Sequence, residues 1–103
     1  MTSKVKSVYE DLKYANADEM LIKARLMTEI ADQVKLRGLT QAEASELLGF
    51  SQPRLSTLLR GQFRGVSEKK LMDCLTRLGR DIEIVVRPAP RSRREGKITV
   101  AVT

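Results

Sequence analysis

The chain is 103 residues long, with 19 Lys and Arg against 13 Asp and Glu, so its net charge is +6. It has no His and one Cys, which excludes imidazole acid–base catalysis, His metal sites, an intrachain disulfide and a Cys-rich zinc site. No apolar run approaches the ~18 residues of a membrane span, and no signal-peptide core begins the sequence. We therefore expect a basic, one-domain cytoplasmic protein that does not contact a membrane.

The positive charge is concentrated towards the end of the sequence. Residues 1–36 have six basic and six acidic side chains, whereas residues 87–103 have five basic side chains and one acidic. Arg91, Arg93 and Arg94 are therefore candidates for a basic arm that contacts phosphates or an acidic partner. The alternative is a solvated basic tail.

We divide the chain into an N-terminal segment (residues 1–17), a helical domain (18–80) and a C-terminal segment (81–103). The first segment is expected to pack on the domain through a helical turn that contains Val8, Tyr9 and Leu12. Asp18 is a candidate N-cap for a long helix that ends at Arg37, before Gly38. Lys23 lies inside the apolar arc of that helix, and we expect its ammonium group to reach water. The arc comprises Met20, Ile22, Ala24, Leu26, Met27, Ile30, Ala31 and Val34.

Two short helices follow, and both have clear start signals. Thr40 and Glu43 form a capping box, and Gly49 ends the first helix. Ser51 is the N-cap of the second helix, Gln52 to Arg60, in which Pro53 is tolerated at the first turn. The leucines of this second helix share one face, so its opposite face is polar. Two capped helices joined by a tight turn are the helix-turn-helix arrangement.

A fourth helix is predicted after Ser67, and two strands follow it. Cys74 lies in the apolar stripe of that helix, so we interpret it as a core residue and not a nucleophile. Beyond residue 80 the apolar period changes from 3.6 to 2, which indicates strands. We expect at least one strand to pair with a second chain, because an isolated ribbon is marginal in water. The candidate dimer strand contains Ile82, Ile84 and Val86.

The polar face of the second short helix is the candidate site, and it is suited to the major groove of DNA. Gln52 can form a bidentate pair with adenine, and Arg54 or Arg60 with guanine. The alternative is an ordinary wet helix face. The base-reading candidates are Gln52, Arg54, Ser56, Thr57 and Arg60. The phosphate-binding candidates are Thr40, Gln41, Ser51 and Arg64.

The stretch that carries these residues resembles known repressors. It reads GLTQAEASELLGFSQPRLSTLLRG and is similar to Cro-type, or XRE, helix-turn-helix domains. The flanking stretches VYEDLKYANADEMLIKARL, FRGVSEKKLMDCLTRLGRDIEIVVRPA and GKITVA look like the HigA-type antitoxins. Together the resemblance covers residues 8–102. Ser45 stands where Ala is more usual in the family.

The resemblance implies a mainly α, lambda-repressor-like helix-turn-helix bundle. It would have four to five helices and one or two C-terminal β-strands used in dimerisation. The implied function is a homodimer that binds double-stranded DNA at a palindromic operator and represses transcription, at the nucleoid, with no cofactor and no metal. In the family, Gln41, Gln52, Arg54, Ser56, Thr57 and Arg60 occupy DNA-contacting positions.

Two other functions are alternatives to DNA-binding regulation. One is an antitoxin that neutralises a RelE/HigB-like toxin, with DNA binding as autoregulation. The other is an enzyme such as a small basic ribonuclease, which is disfavoured because the predicted sheet is only a minor terminal element. We therefore expect no enzymatic activity.

Overall fold

The computed structural model describes the backbone from Thr2 to Thr103 and the side chains from Ala17 onwards. Over these residues the fold is mainly helical, which confirms the predicted class. None of the helices described is long and apolar enough to cross a bilayer. The elements are α1 (Thr2–Leu36), α2 (Gln41–Leu48), α3 (Gln52–Leu59) and α4 (Glu68–Arg77).

The first helix is longer than the sequence predicted. Asp18 lies well inside α1, so its assignment as an N-cap is wrong. Residues 13–17 contain neither Gly nor Pro, and a helix propagates through such a stretch once it has formed. The predicted packing of Val8, Tyr9 and Leu12 on the domain lies outside the described side chains.

The core lies among the four helices: α1 packs most extensively on α4 and also contacts α3, and α2 contacts both α3 and α4. Side chains from all four helices and from the α3–α4 loop contribute. Cys74 is among them and is 1% exposed, as expected for a core residue. The buried apolar residues are Leu26, Met27, Ile30, Val34, Ala44, Leu48, Leu55, Leu58, Val66, Leu71, Cys74, Leu75 and Leu78.

The helix starts follow the predicted capping signals. The Thr40 hydroxyl accepts a hydrogen bond from the Glu43 backbone N–H at 3.1 Å, and the Glu43 carboxylate accepts one from the Thr40 N–H at 3.0 Å. Ser51 and Ser67 cap α3 and α4 in the same way, each accepting from the backbone N–H three residues on. These caps satisfy donors that have no partner within the helix.

The turn between α2 and α3 is held by α4. Gly49 adopts the left-handed conformation at φ 78°, as the sequence predicted. Lys70 Nζ donates to the Leu48 carbonyl and Arg77 Nη1 to the Leu47 carbonyl, each at 3.2 Å. Cations at a helix C-terminus oppose its partial negative charge. Two side chains of α4 therefore fix the end of α2, and with it the direction in which α3 leaves.

The C-terminal segment contains no strand in residues 81–103 of this single chain, so the two predicted strands are not confirmed. A strand needs a neighbour to satisfy its backbone groups, and the two segments do not pair with each other here. The last residues instead lie against the helices. Val100 packs on the core and accepts from Arg25 at 3.4 Å, and Thr103 accepts from Arg80 at 2.9 Å.

The prediction that the side chain of Lys23 extends to solvent is wrong. Its ammonium group does not reach water, because the side chain is buried beneath the loop that follows α3. Nζ donates to the Arg64 carbonyl at 2.8 Å and lies 3.4 Å from a carboxylate oxygen of Glu19.

Candidate nucleic-acid interface

The third helix presents a polar face to solvent because its other face is anchored. Leu55 and Leu58 are each 1% exposed and fix the inner face of α3 in the core. Pro53 and Arg54 are exposed on the first turn. The whole helix is eight residues, or about 12 Å, long, which fits within one stretch of the major groove.

The structure brings most of the base-reading candidates to this outer face. Gln52 is exposed, although its position on the helical wheel lies towards the core side, because the first residue of a helix projects beyond the packed body. Arg60 is exposed at the other end of α3. Ser56 and Thr57 lie between them and are partly buried.

Two of these residues have interactions that restrict what they can read. The Thr57 hydroxyl donates to the Pro53 carbonyl at 2.9 Å, so it can only accept a further hydrogen bond, and its methyl group is left for apolar contact. Arg54 lies at the flank of the face, where Nη2 comes within 3.6 Å of the position that a Cβ on Gly65 would occupy. Arg54 is thus close to the loop that carries Arg64.

Three of the four phosphate-binding candidates, Thr40, Gln41 and Ser51, lie at helix N-termini, and Arg64 lies in the loop between α3 and α4. Thr40 and Ser51 use a hydroxyl oxygen as a cap acceptor, and each hydroxyl proton stays able to donate to a phosphate. Gln41 is exposed on the first turn of α2. The first backbone N–H groups of a helix attract anions, so side chain and backbone act together there.

The capping box changes one expected contact. The Thr40 backbone N–H is already bonded to the Glu43 carboxylate, so it is not available to a phosphate. The backbone and side-chain hydrogen bonds from Thr40 hold the pKa of Glu43 below its ordinary value, which keeps this carboxylate charged. The negative charge weakens the attraction of the α2 N-terminus for phosphate, so a phosphate contact there would depend more on the Gln41 side chain.

Comparisons with known proteins agree with this geometry. A family model described as a helix-turn-helix domain matches residues 8–87. A solved structure described as an XRE family transcriptional regulator superposes with a TM-score of 0.78 at 37% sequence identity, covering 84% of this chain and 98% of the other. The chain belongs to the XRE-type helix-turn-helix family. No protein of curated function matches the sequence.

The position at which this XRE-type chain departs from the usual residue is well accommodated. Ser45 is buried, and its hydroxyl donates to the Ala42 carbonyl at 2.9 Å. The polar group is therefore satisfied within α2 and adds no unpaired group to the contact between α2 and α3.

The arginine-rich part of the C-terminal segment is only partly free. Arg91 and Arg94 are exposed. Arg93 is partly buried, and one of its terminal nitrogens has no hydrogen-bond partner among the described residues. In this conformation Arg91 and Arg94 are the better placed of the three to act as an arm.

Sequence reasoning missed three cations that shape the interface of this XRE-type domain. Lys70 and Arg77 hold the end of α2, and Lys23 holds the loop after α3. Lys23 carried a visible signal, since it is a charged residue inside an apolar arc. Lys70 and Arg77 carried none, because their partners are backbone carbonyls distant in sequence.

Proposed function

We propose that the protein is a sequence-specific DNA-binding transcriptional regulator. It would act at the nucleoid as a homodimer on a palindromic operator and repress transcription, including that of its own gene. The observation that carries this proposal is the exposed polar face of α3, with its ends marked by Gln52 and Arg60 and its inner face fixed by Leu55 and Leu58. The likeness to an XRE family transcriptional regulator supports it.

Within this proposal, the residues divide by their chemistry. Gln52 and Arg54 read base edges near the start of α3. Arg60, at the end of α3, contacts either a base edge or the DNA backbone. Ser56 and Thr57 contact the groove between them. Thr40, Gln41, Ser51 and Arg64 bind phosphates and set the register of the helix in the groove.

The test is a binding titration with a duplex from upstream of the gene, over a salt series. We expect affinity to fall steeply with salt, and a scrambled duplex to bind at least ~1000-fold more weakly. Arg54→Lys is the informative variant, because it keeps the charge and removes the bidentate fork. It should reduce discrimination against wrong bases by about 1–3 kcal/mol while it preserves most of the salt dependence.

Arg54→Ala and Gln52→Ala complete this set. If both variants keep the sequence preference of the natural protein, α3 is not the recognition helix. If the natural protein binds all duplexes alike, the regulator proposal fails.

The dimer is proposed to form through residues 81–87. In this chain Ile84 is 78% exposed and Val86 is 92% exposed, an apolar surface that a soluble monomer has reason to cover. A symmetric antiparallel pairing centred on Ile84 sets Ile82 opposite Val86 of the second copy. The same register sets Asp81 opposite Arg87 of the second copy, so the charges are complementary.

This register can be tested by cross-linking. Ile84→Cys would place two thiols at the two-fold axis, within the 4.4–6.8 Å Cα separation typical of disulfides. We expect rapid oxidation to a covalent dimer, because the natural Cys74 is buried and does not compete. Val85→Cys is the matched control and should cross-link slowly, since its opposite residue is Glu83. Light scattering that shows a monomer would contradict the dimer itself.

The same exposed apolar segment supports a second candidate function, the neutralisation of a RelE/HigB-like toxin by this HigA-like chain. The two candidate functions differ in whether the chain forms a complex with a second, different protein. If the antitoxin function holds, co-expression with a basic toxin-like protein encoded by an adjacent gene should give a stable complex. The chain should also protect cells from the toxin-like protein. Loss of this protection in a double variant, Ile84→Asp and Val86→Asp, would place the contact on residues 81–87.

A further inference from the structure

Lys23 is a buried cation whose position has no explanation in the packing of α1. Its side chain is 6% exposed, and its neighbours along the arc are apolar. Nζ donates at 2.8 Å to the carbonyl of Arg64, 41 residues away. Among the side chains from Ala17 onwards, its ion-pair partner is Glu19 at 3.4 Å, a half-exposed carboxylate on the same helix.

Stability alone does not account for a lysine here. Burial of an ammonium group is unfavourable even when the group is paired, and an apolar side chain of similar length would fill the same space. The carbonyl that it binds belongs to an exposed residue in the loop between α3 and α4, so the bond ties that loop to α1. The lysine therefore gives the loop a defined position more than it gives the core stability.

The loop in question carries a candidate phosphate contact. Phe63 packs against the core and Val66 is buried, so the loop is anchored on both sides of Arg64. Lys23 fixes the peptide between these anchors, and the Arg64 side chain is exposed. The Arg54 guanidinium lies beside Gly65, the next residue of the loop.

We propose that Lys23 is a positioning residue for DNA binding. It fixes the Arg64 peptide so that the Arg64 side chain meets a phosphate next to the groove entered by α3, and it acts from α1 without touching DNA. This inference rests on the proposed DNA-binding function.

The experiment compares Lys23→Met, Arg64→Ala and the double variant in the full chain, with the upstream duplex. The readouts are the slope of log affinity against log salt concentration and the melting temperature. Loss of one phosphate contact lowers the slope by about 0.9 per subunit and weakens binding roughly tenfold per subunit at 0.1 M salt. We expect Lys23→Met to show most of this loss although it stays folded at the assay temperature, with a melting temperature lowered only by the loss of one hydrogen bond. We expect the double variant to lose no more than Arg64→Ala.

Glu19→Gln is the matched control, because it removes the ion pair and leaves the bond from Nζ to the carbonyl. It should keep the natural slope. A natural slope in Lys23→Met beside a reduced slope in Arg64→Ala overturns the inference, as does a natural slope in both. Lys23→Gln is a second variant, in case Lys23→Met disturbs the packing around it. If neither Lys23 variant folds, Lys23 is a structural residue and the inference is overturned. Absence of DNA binding by the natural protein would instead refute the proposed function.

Discussion

The turn between α2 and α3 offers a quantitative test of how the interface is built. Gly49→Ala places a Cβ on a residue at φ 78°, which costs about 1–2 kcal/mol for an L-amino acid. The new Cβ would lie 3.3 Å from Arg77 Nη1 and 3.4 Å from Lys70 Nζ, the two groups that bind the end of α2. The Arg77 side chain must move by a few tenths of an ångström, which weakens its charge-assisted hydrogen bond to Leu47, whereas Lys70 is at ordinary contact distance.

We expect Gly49→Ala to lower the free energy of unfolding by about 1–3 kcal/mol, or roughly 5–15 °C in melting temperature for a domain of this size. Thermal unfolding followed by circular dichroism measures it. Gly38→Ala separates the two causes, because Gly38 also has a positive φ, 63°, with nothing within 4 Å of the new Cβ. It should show the conformational cost alone.

Gly96→Ala is the baseline, since that site has open space and no positive φ, and we expect a change within about 0.5 kcal/mol. A Gly49→Ala protein with the same melting temperature as the natural protein would contradict this expectation. Equal losses for Gly49→Ala and Gly38→Ala would show that the contact from Arg77 contributes nothing.

Three further predictions concern Glu43, Cys74 and Leu58. Backbone and side-chain hydrogen bonds from Thr40 lower the pKa of Glu43, so their stabilisation is present above the ordinary carboxylate pKa and is lost as pH falls through the folded-state pKa. Thr40→Val keeps the backbone donor and should therefore move the Glu43 pKa, followed by NMR, only part of the way back up. Burial raises the pKa of the Cys74 thiol, so its contribution to stability is lost as pH rises past the ordinary thiol pKa, and Cys74→Ala should flatten alkaline unfolding curves. Leu58→Ala, which empties part of a site that is 1% exposed, should cost about 2–5 kcal/mol in urea unfolding.

The parts of the fold that sequence reasoning predicted well are those set by local chemistry. Thr40, Ser51 and Ser67 act as caps because the hydroxyl and the backbone donor that it serves are three residues apart. Gly49 ends α2 because few other residues adopt its conformation. The outer face of α3 followed from the spacing of its leucines, and that face is the candidate site.

The parts that could not be predicted depend on contacts distant in sequence or outside the chain. Lys23 is buried because a loop from another part of the fold covers it, which no local pattern records. Asp18 failed as a cap because a helix starting at Thr2 runs through it. The strands stayed unformed in this chain because a ladder requires a partner, and the pattern around Ile84 does not say which chain supplies it.

The most direct test of the central claim is an NMR map of backbone amide shifts as the upstream duplex is added. We expect the largest shifts at Gln52–Arg60, with smaller shifts at Thr40, Gln41 and Arg64. We expect Arg54→Ala to remove the shifts at Gln52–Arg60. Shifts confined to residues 81–103, with α3 unchanged, would contradict it.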